Sequence, residues 1–346
     1  VRYLRNMDAQ AALQNANHVT ALVVGDVMLD AYLVGHVNRI SPEAPVPIVD
    51  VHKRDRRLGG AANVAKNLIA LGAKVHIAAV IGNDAAGEDI AHLFDELNVG
   101  TRALLRSDSR PTTVKTRVIS NGQQLLRVDE EHTNDLEEAT ALALCEQCEA
   151  LLDAESIDVV IFEDYNKGTL TEYGIQRLIR ACQARGIKTT VDPKFRNFNA
   201  YQGVTLFKPN FKELQEGLGI AIHKNSDASL QQAVNRLMEQ LDPDVAMVTL
   251  SERGVCVSDK HQDQAFQRIP AFEREITDVS GAGDAVIAVA SVLLASDVPV
   301  WQIAAVANLA GGLVCEKVGV VPVELERLQS EWETHREAME SLMSSK

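Results

Sequence analysis

Aromatic residues make up only 4% of the 346-residue chain, and cysteine occurs five times. So few rings offer little for stacking against a nucleobase. Basic side chains are also short in supply: 34 Lys and Arg stand against 48 Asp and Glu, a net charge of −14. That balance argues against general binding to nucleic acid or to anionic membrane surfaces. It leaves room for a local basic pocket around a small phosphate. The longest apolar run, Ala285 to Ala295 with one serine in it, is too short to span a bilayer. The first residues, "VRYLRNMDAQAALQNA", lack the apolar stretch of a secretory leader. A cytoplasmic protein with no membrane partner is the expectation.

An odd cysteine count fits no disulfide framework. Cys145 and Cys148 form one C-x-x-C within a stretch that reads as helix, and no second such pair accompanies it. A zinc site needs two more ligands, so these are expected to be free helix-face thiols. The nine histidines are scattered without metal spacing. Several standard sites are missing as well. There is no G-x-x-x-x-G-K-[ST], no complete dinucleotide fingerprint, no G-x-S-x-G and no H-E-x-x-H.

What is present is a large apolar fraction, 46%, arranged as strands that alternate with amphipathic helices. "TALVVG", "AKVHIAAVIG", "DVVIFED", "IKTTVD" and "DVAMVTLS" read as buried strands with helical patterns between them. "GVCVSD" and "QAFQRIP" read as a small antiparallel pair. This rhythm predicts an α/β fold with a doubly wound, mostly parallel sheet flanked by helices. Two β-rich pieces break the rhythm. Segments 32–55 and 101–129 are expected to pair as a small separate lid inserted in one unit covering 1–346. Ligands of such sheets bind beyond the carboxyl ends of the strands. Asp26, Asp30, Glu163, Asp164, Asp192, Asn210 and Ser251 all fall there.

The stretch most specific for chemistry is "ITDVSGAGDAVIAVASVLLA", residues 276–295. Gly281, Ala282 and Gly283 stand before Asp284 at the mouth of an apolar helix. A helix start presents unpaired N–H groups and a positive dipole end. Residues nearly without side chains let an anion reach them. A carboxylate there could simply cap the helix, but a cap does not require that loop. An anion hole with a base beside it does. Phosphoryl transfer uses both: the amides hold the donor phosphate and Asp284 takes the proton of the attacking hydroxyl.

Two motifs connect the chain to a known family. "GGAANVAKNLIALGAKVHIAAVIGNDAAG", residues 59–87, and "DVSGAGDA", residues 278–285, resemble the two signatures of the ribokinase-like (pfkB) carbohydrate kinases. The resemblance covers about residues 20–325. Ser280 stands where that pattern usually has Thr, which keeps the hydroxyl. Within the family, "GDVMLDAYLVGHVNRISPEAPVPIVDV", "TTVKTRVISNGQQLLRVDEE" and "VDPKFRNFNAYQGVTLFKPNFKE" resemble the branch acting on D-glycero-β-D-manno-heptose 7-phosphate. Many members of that branch carry a C-terminal adenylyltransferase. No H-x-G-H stretch occurs here, so the kinase-only form is the expectation.

The resemblance implies ATP and Mg²⁺, and places residues accordingly. Asp30, Gly59, Gly60 and Asn63 match the sugar contacts. Asp284 matches the base, with Gly281, Ala282 and Gly283 as the anion hole. Asn210 and Glu213 match the motif that organises Mg²⁺ and phosphates, and Asp192 is available beside the substrate. Thr249, Ser251 and Gly254 match a nucleotide loop, with Asn308 near the adenine. Asp278 is the candidate for a monovalent cation such as K⁺. For the acceptor's own phosphate the basic candidates are Lys115, Arg117, Arg127 and Lys194, the last best placed because it follows a strand-end Asp-Pro; for each, an ordinary surface charge or ion pair is the reading to beat. Asp26 is either a further hydroxyl ligand or a turn cap. A homodimer through the lid follows from its exposed apolar edges. The implied activity is phosphorylation of the anomeric hydroxyl of the heptose 7-phosphate, in ADP-heptose and lipopolysaccharide core synthesis. Another sugar acceptor, or a silent sugar-binding regulator on the same fold, stays open at this point.

Overall fold

The computed structural model describes residues 7–223, 226–262 and 266–344. Strands in chain order are β1 (Thr20–Gly25), β2 (Val27–Ile40), β3 (Pro47–Gly60), β4 (Lys74–Gly82) and β5 (Gly100–Ser107). They continue with β6 (Val114–Ser120), β7 (Gln123–Glu130), β8 (Val159–Glu163), β9 (Lys188–Asp192) and β10 (Leu206–Phe207). The last are β11 (Val245–Thr249), β12 (Val255–Asp259) and β13 (Phe266–Ile269). The helices are α1 (Ala9–Gln14), α2 (Ala61–Ala70), α3 (Ala85–Glu96), α4 (Glu138–Ala154) and α5 (Glu172–Arg185). After them come α6 (Phe211–Leu218), α7 (Asp227–Leu241), α8 (Ala282–Ala295), α9 (Val300–Cys315) and α10 (Leu325–Ser344).

A nine-stranded sheet runs in the order β13-β12-β11-β10-β9-β8-β1-β4-β5. Its strands from β11 to β5 are parallel, and β12 and β13 close one edge antiparallel. Both faces are covered, as parallel sheets require. One apolar layer joins α1, α2, α8 and α9 to the sheet, and the other joins α4, α5, α6 and α7. The helix α8 is apolar around its whole circumference and buried from Asp284 to Leu294. Such a helix is stable only inside a core. Among the described residues no helix is long and apolar enough to cross a membrane.

The smaller sheet has the order β3-β2-β6-β7, with β3 at an edge, as Pro47 at its start allows. One expectation is corrected here. Residues 100–107 do not belong to the lid, because β5 pairs parallel with β4 at the edge of the large sheet. Ala103 is fully buried, and Leu104 and Leu105 pack against opposite apolar layers. A strand covered on both sides belongs to the central sheet. Only the part from Val114 onward joins the lid. The expected strand 264–270 is present from Phe266, its first two residues lying outside the described ones.

The register lines up the functional end. Gly25 pairs with Glu163, and Glu163 pairs with Asp192. The carboxyl ends of β1, β8 and β9 therefore carry acidic residues side by side. The lid strands β2 and β3 rise from the same end, since β2 leaves β1 after Asp26 and β3 runs directly into α2.

Candidate active site

The start of α8 is built as the sequence suggests. Gly281 is its N-cap in the left-handed region, with φ of 79°. A Cβ there would also meet Val320 Cγ1 at 2.8 Å, so only glycine fits. The Ala282 N–H donates to Val279 O at 3.3 Å and the Ala285 N–H to Gly281 O at 3.0 Å. Between them the amides of Gly283 and Asp284 have no partner among the described residues. Asp278 anchors the loop. Its Oδ1 accepts from the Ser280 N–H at 3.0 Å and its Oδ2 from the Gly319 N–H at 2.8 Å.

Asp284, in the first turn of that helix, is 6% exposed. Tyr165 donates its hydroxyl to Asp284 Oδ1 at 3.0 Å. Burial first, and then the charge of Asp192, push the Asp284 carboxyl up to about 6. Hydrogen bonds from Tyr165 and Asn63, and the charge of Lys208, pull the other way. The result is a carboxylate poised to take a proton near neutral pH.

Beside it lies a charged layer. Lys208, 2% exposed, sets its Nζ 2.8 Å from Asp192 Oδ2. Lys194 Nζ lies 3.7 Å from Asp192 Oδ1 and 2.5 Å from Glu213 Oε1. Burial alone would raise Asp192, but the two ammonium groups more than offset it and hold the carboxyl below its ordinary value. Glu163 makes no ion pair with either ammonium group. Burial, then the charges of Asp192 and Asp284, push its carboxyl well up against the weaker pull of Lys194 and Lys208. A Cβ on Gly283 would stand 3.4 Å from Asp192 Oδ2 and 3.9 Å from Lys208 Nζ. The helix start and the charged layer thus face one another.

Asn210 and Glu213 form a capping box on α6. The Glu213 N–H donates to Asn210 Oδ1 at 2.9 Å, and the Asn210 N–H to Glu213 Oε2 at 2.8 Å. Thr249 adjoins them, its N–H donating to Pro209 O at 3.1 Å. Ser251 (φ 55°) and Gly254 (φ 85°) turn the following loop. Asn308, on α9, donates to Pro270 O at 2.9 Å.

On the lid side, Arg117 Nη1 donates to Asp30 Oδ1 at 2.6 Å. A Cβ on Gly59 would lie 2.4 Å from Asp30 Oδ2, and Gly60 takes a φ of 64°. Asn63 links this group to Asp284. Asp26 takes the capping role: it accepts from the backbone N–H groups of Tyr165, Lys167 and Thr169 at 2.9, 3.0 and 3.0 Å.

Some expected residues are placed elsewhere. Arg127, on β7, pairs with Asp129 at 2.9 Å and is half exposed. Lys115 pairs with Asp129 and Glu131, each at 3.0 Å. Lys194 sits with Glu213, on the side expected to hold phosphates, across the ring of Tyr165 at 5.7 Å. Sequence reasoning missed Tyr165 and Lys208. The lysine inside the apolar "LFKPN" was the available signal for the second. Cys145, Cys148 and Cys182 are buried free thiols. Burial pushes Cys145 up to about 11 and Cys182 up to about 12, so they are inert.

Comparison with solved structures sets the class by fold. Phosphofructokinase-2 from Escherichia coli in complex with potassium superposes with a TM-score of 0.73 at 20% identity, covering 91% of this chain and 99% of that one. Arabidopsis thaliana ribokinase complexed with ribose and ATP gives 0.68 at 16% identity, covering 90% and 98%. The protein has the ribokinase-like α/β fold with its additional small sheet. It belongs to the pfkB family of carbohydrate kinases, whose model matches residues 18–326. Among curated proteins, "Bifunctional protein HldE" from Syntrophotalea carbinolica is 39% identical over 323 residues, 93% of this chain. The protein of the same name from Methylobacillus flagellatus is 41% identical over 323 residues, again 93% of this chain. The chain spans 65% of the length of each.

Proposed function

We propose that this protein transfers the γ-phosphoryl group of ATP to the anomeric hydroxyl of D-glycero-β-D-manno-heptose 7-phosphate, giving the 1,7-bisphosphate. The observation that carries the reading is Asp284. It is buried, held near pKa 6, and sits at a helix start whose neighbouring amides are free to receive an anion. The heptose branch is supported by the stretches quoted above and by the relatives named HldE.

Asp30 and Asn63 grip sugar hydroxyls, and Gly59 and Gly60 let the backbone close on the ring. Asp284 takes the proton from the anomeric hydroxyl. That oxygen bonds to the γ-phosphorus as the bond to the ADP oxygen breaks. The amides of Gly283 and Asp284 and the ammonium groups of Lys194 and Lys208 balance the charge on the transferring group. Mg²⁺ bound with the nucleotide would neutralise phosphate charge. Asn210 and Glu213 would hold it, and the buried Oδ1 of Asp192, with no hydrogen-bond partner and only Lys194 at 3.7 Å, fits the same need. A K⁺ ion beside Asp278 belongs to this proposal too, since the Ser280 and Gly319 N–H groups hold its carboxylate in place beside the loop. Exposed Leu125, Leu126 and Val128 on β7 support a dimer through the lid, testable by light scattering.

A coupled ADP-release assay across heptose 7-phosphate, fructose 6-phosphate and ribose tests the reading. Turnover with the heptose alone supports it. Equal or better turnover with either other sugar moves the acceptor, and ATP-silent mixtures with all three point to a regulator.

A further inference from the structure

Two guanidinium groups of the lid lie against the ring of Tyr32. The guanidinium of Arg57 lies 5.0 Å from the centre of the Tyr32 ring and that of Arg117 lies 5.4 Å from it. They come from the two strands flanking β2. Arg57 is in register with Asp30 on β3, and Arg117 with Tyr32 on β6. Side chains alternate along a strand, so Asp30, Tyr32, Arg57 and Arg117 share one face. That is the face of the sugar-contact carboxylate. Each guanidinium has one carboxylate: Arg57 pairs with Asp55 at 2.6 Å and Arg117 with Asp30 at 2.6 Å.

A third cation has none. Lys66 lies one turn beyond Asn63 on α2, and helical side chains lean back toward the N-terminus. Its Nζ reaches only the neutral Asn63 Oδ1, at a long 3.5 Å. Among the described residues no carboxylate lies within ion-pair distance of it. The side chain is half-buried. Burial first, then the charge of Arg57, hold its ammonium below the ordinary lysine value, and the charges of Asp30 and Asp284 offset this only in part. A cation withdrawn from water with no carboxylate in ion-pair contact costs free energy. A bound anion would remove that cost.

We propose that Lys66, with Arg57 and Arg117 around Tyr32, forms the subsite for the acceptor's own phosphate and so selects a phosphorylated sugar over its parent. The assignment rests on the reading of the chain as a sugar-phosphate kinase. The anion is the acceptor's and not the nucleotide's, because these cations stand on β2, β3 and α2 or beside them. Those elements carry Asp30, Gly59, Gly60 and Asn63. The nucleotide side has its own cations in Lys194 and Lys208. Sequence reasoning placed Lys194 and the basic residues 115–127 in this role. Of those, the structure leaves Arg117 beside the sugar contacts and adds Lys66 and Arg57.

Lys66→Met keeps the length of the side chain and removes its charge. Loss of a charge-assisted contact should raise KM for the sugar phosphate about ten- to hundredfold. KM for ATP should stay within about twofold, and calorimetric binding of the sugar phosphate should weaken in step. Turnover of the unphosphorylated parent sugar should not fall. Arg57→Gln should show the same pattern, and Lys66→Arg should restore part of the affinity. An unchanged KM for the sugar phosphate overturns the subsite, and so does an equal rise in KM for ATP. A wild-type protein that accepts a different sugar phosphate overturns the heptose assignment alone, and Lys66→Met then tests the subsite in the same way with that sugar. Activity confined to unphosphorylated sugars overturns both.

Discussion

The hydroxyl of Tyr165 and the carboxylate of Asp284 share a 3.0 Å hydrogen bond across two chain segments 119 residues apart. Burial, then the charge of Asp284, push the phenol well above its ordinary value, so Tyr165 keeps its proton and donates it. The bond favours the ionised form of Asp284. Tyr165→Phe should therefore raise the pKa of Asp284, shifting the acidic limb of the pH–rate profile upward by roughly one unit. A limb that stays in place would separate Tyr165 from the titration of the base.

Asp284→Asn should lower kcat by about 10²–10⁴ while the far-UV spectrum and nucleotide binding persist. Stability supplies an independent readout. The carboxyl titrates at about 6 in the folded protein against an ordinary 3.8. Between those values the folded state holds the proton more tightly than the unfolded chain. Stability thus falls as pH rises through that window and stays lower above it, by up to about 3 kcal/mol. Removing the charge should raise Tm at about pH 7.5 and leave it unchanged near pH 4. A lower Tm at the higher pH would contradict a buried, strained carboxylate.

How much of the site is legible in the sequence depends on how far apart the partners lie. Gly281, Ala282, Gly283 and Asp284 are neighbours, and their order alone specifies an open helix start. The alternation of strands and helices likewise foretells the parallel sheet. Which sheet a β-rich segment joins is different. Residues 100–107 have the composition of a lid strand, and only the parallel pairing with β4 and the packing of Leu104 and Leu105 on opposite layers decide against it. Tyr165 is invisible in the sequence and Lys208 shows there only as a lysine within apolar "LFKPN", because each gains its role from a carboxylate brought close by the fold. Asp26 cannot be assigned until three backbone amides converge on it. The place of Lys194 after Asp-Pro suggests a partner for the sugar's phosphate, and the capping geometry of Glu213 draws it to the other side.

The pair Lys208–Asp192 is buried, and breaking it should be costlier than deleting it. Lys208→Met leaves the buried Asp192 carboxylate beside Glu163 and Asp284 with only Lys194, 3.7 Å away, in partial compensation. A loss of about 3 kcal/mol is expected from urea unfolding. Lys208→Met combined with Asp192→Asn should recover much of that stability while remaining poorly active. If the double variant is less stable than the single, the pair is not charge-balanced in the way described.

Gly59 offers a test of the sugar side that leaves the phosphoryl machinery untouched. Its φ is not in the left-handed region, so alanine meets no backbone penalty there. The obstacle is space: a Cβ would lie 2.4 Å from Asp30 Oδ2 and 3.0 Å from Met28 Cγ. The softer response is for the Asp30 carboxylate to swing away, which breaks its 2.6 Å bond to Arg117 and removes its grip on the sugar. Gly59→Ala should therefore raise KM for the sugar acceptor by about tenfold or more, with KM for ATP unchanged. Because Asp284 and the α8 amides stay in place, the slow hydrolysis of ATP by water should persist at the wild-type rate. A parallel loss of that hydrolysis would show that the disturbance reaches the base, and that Asp30 and Asp284 are not separable as acceptor grip and proton acceptor.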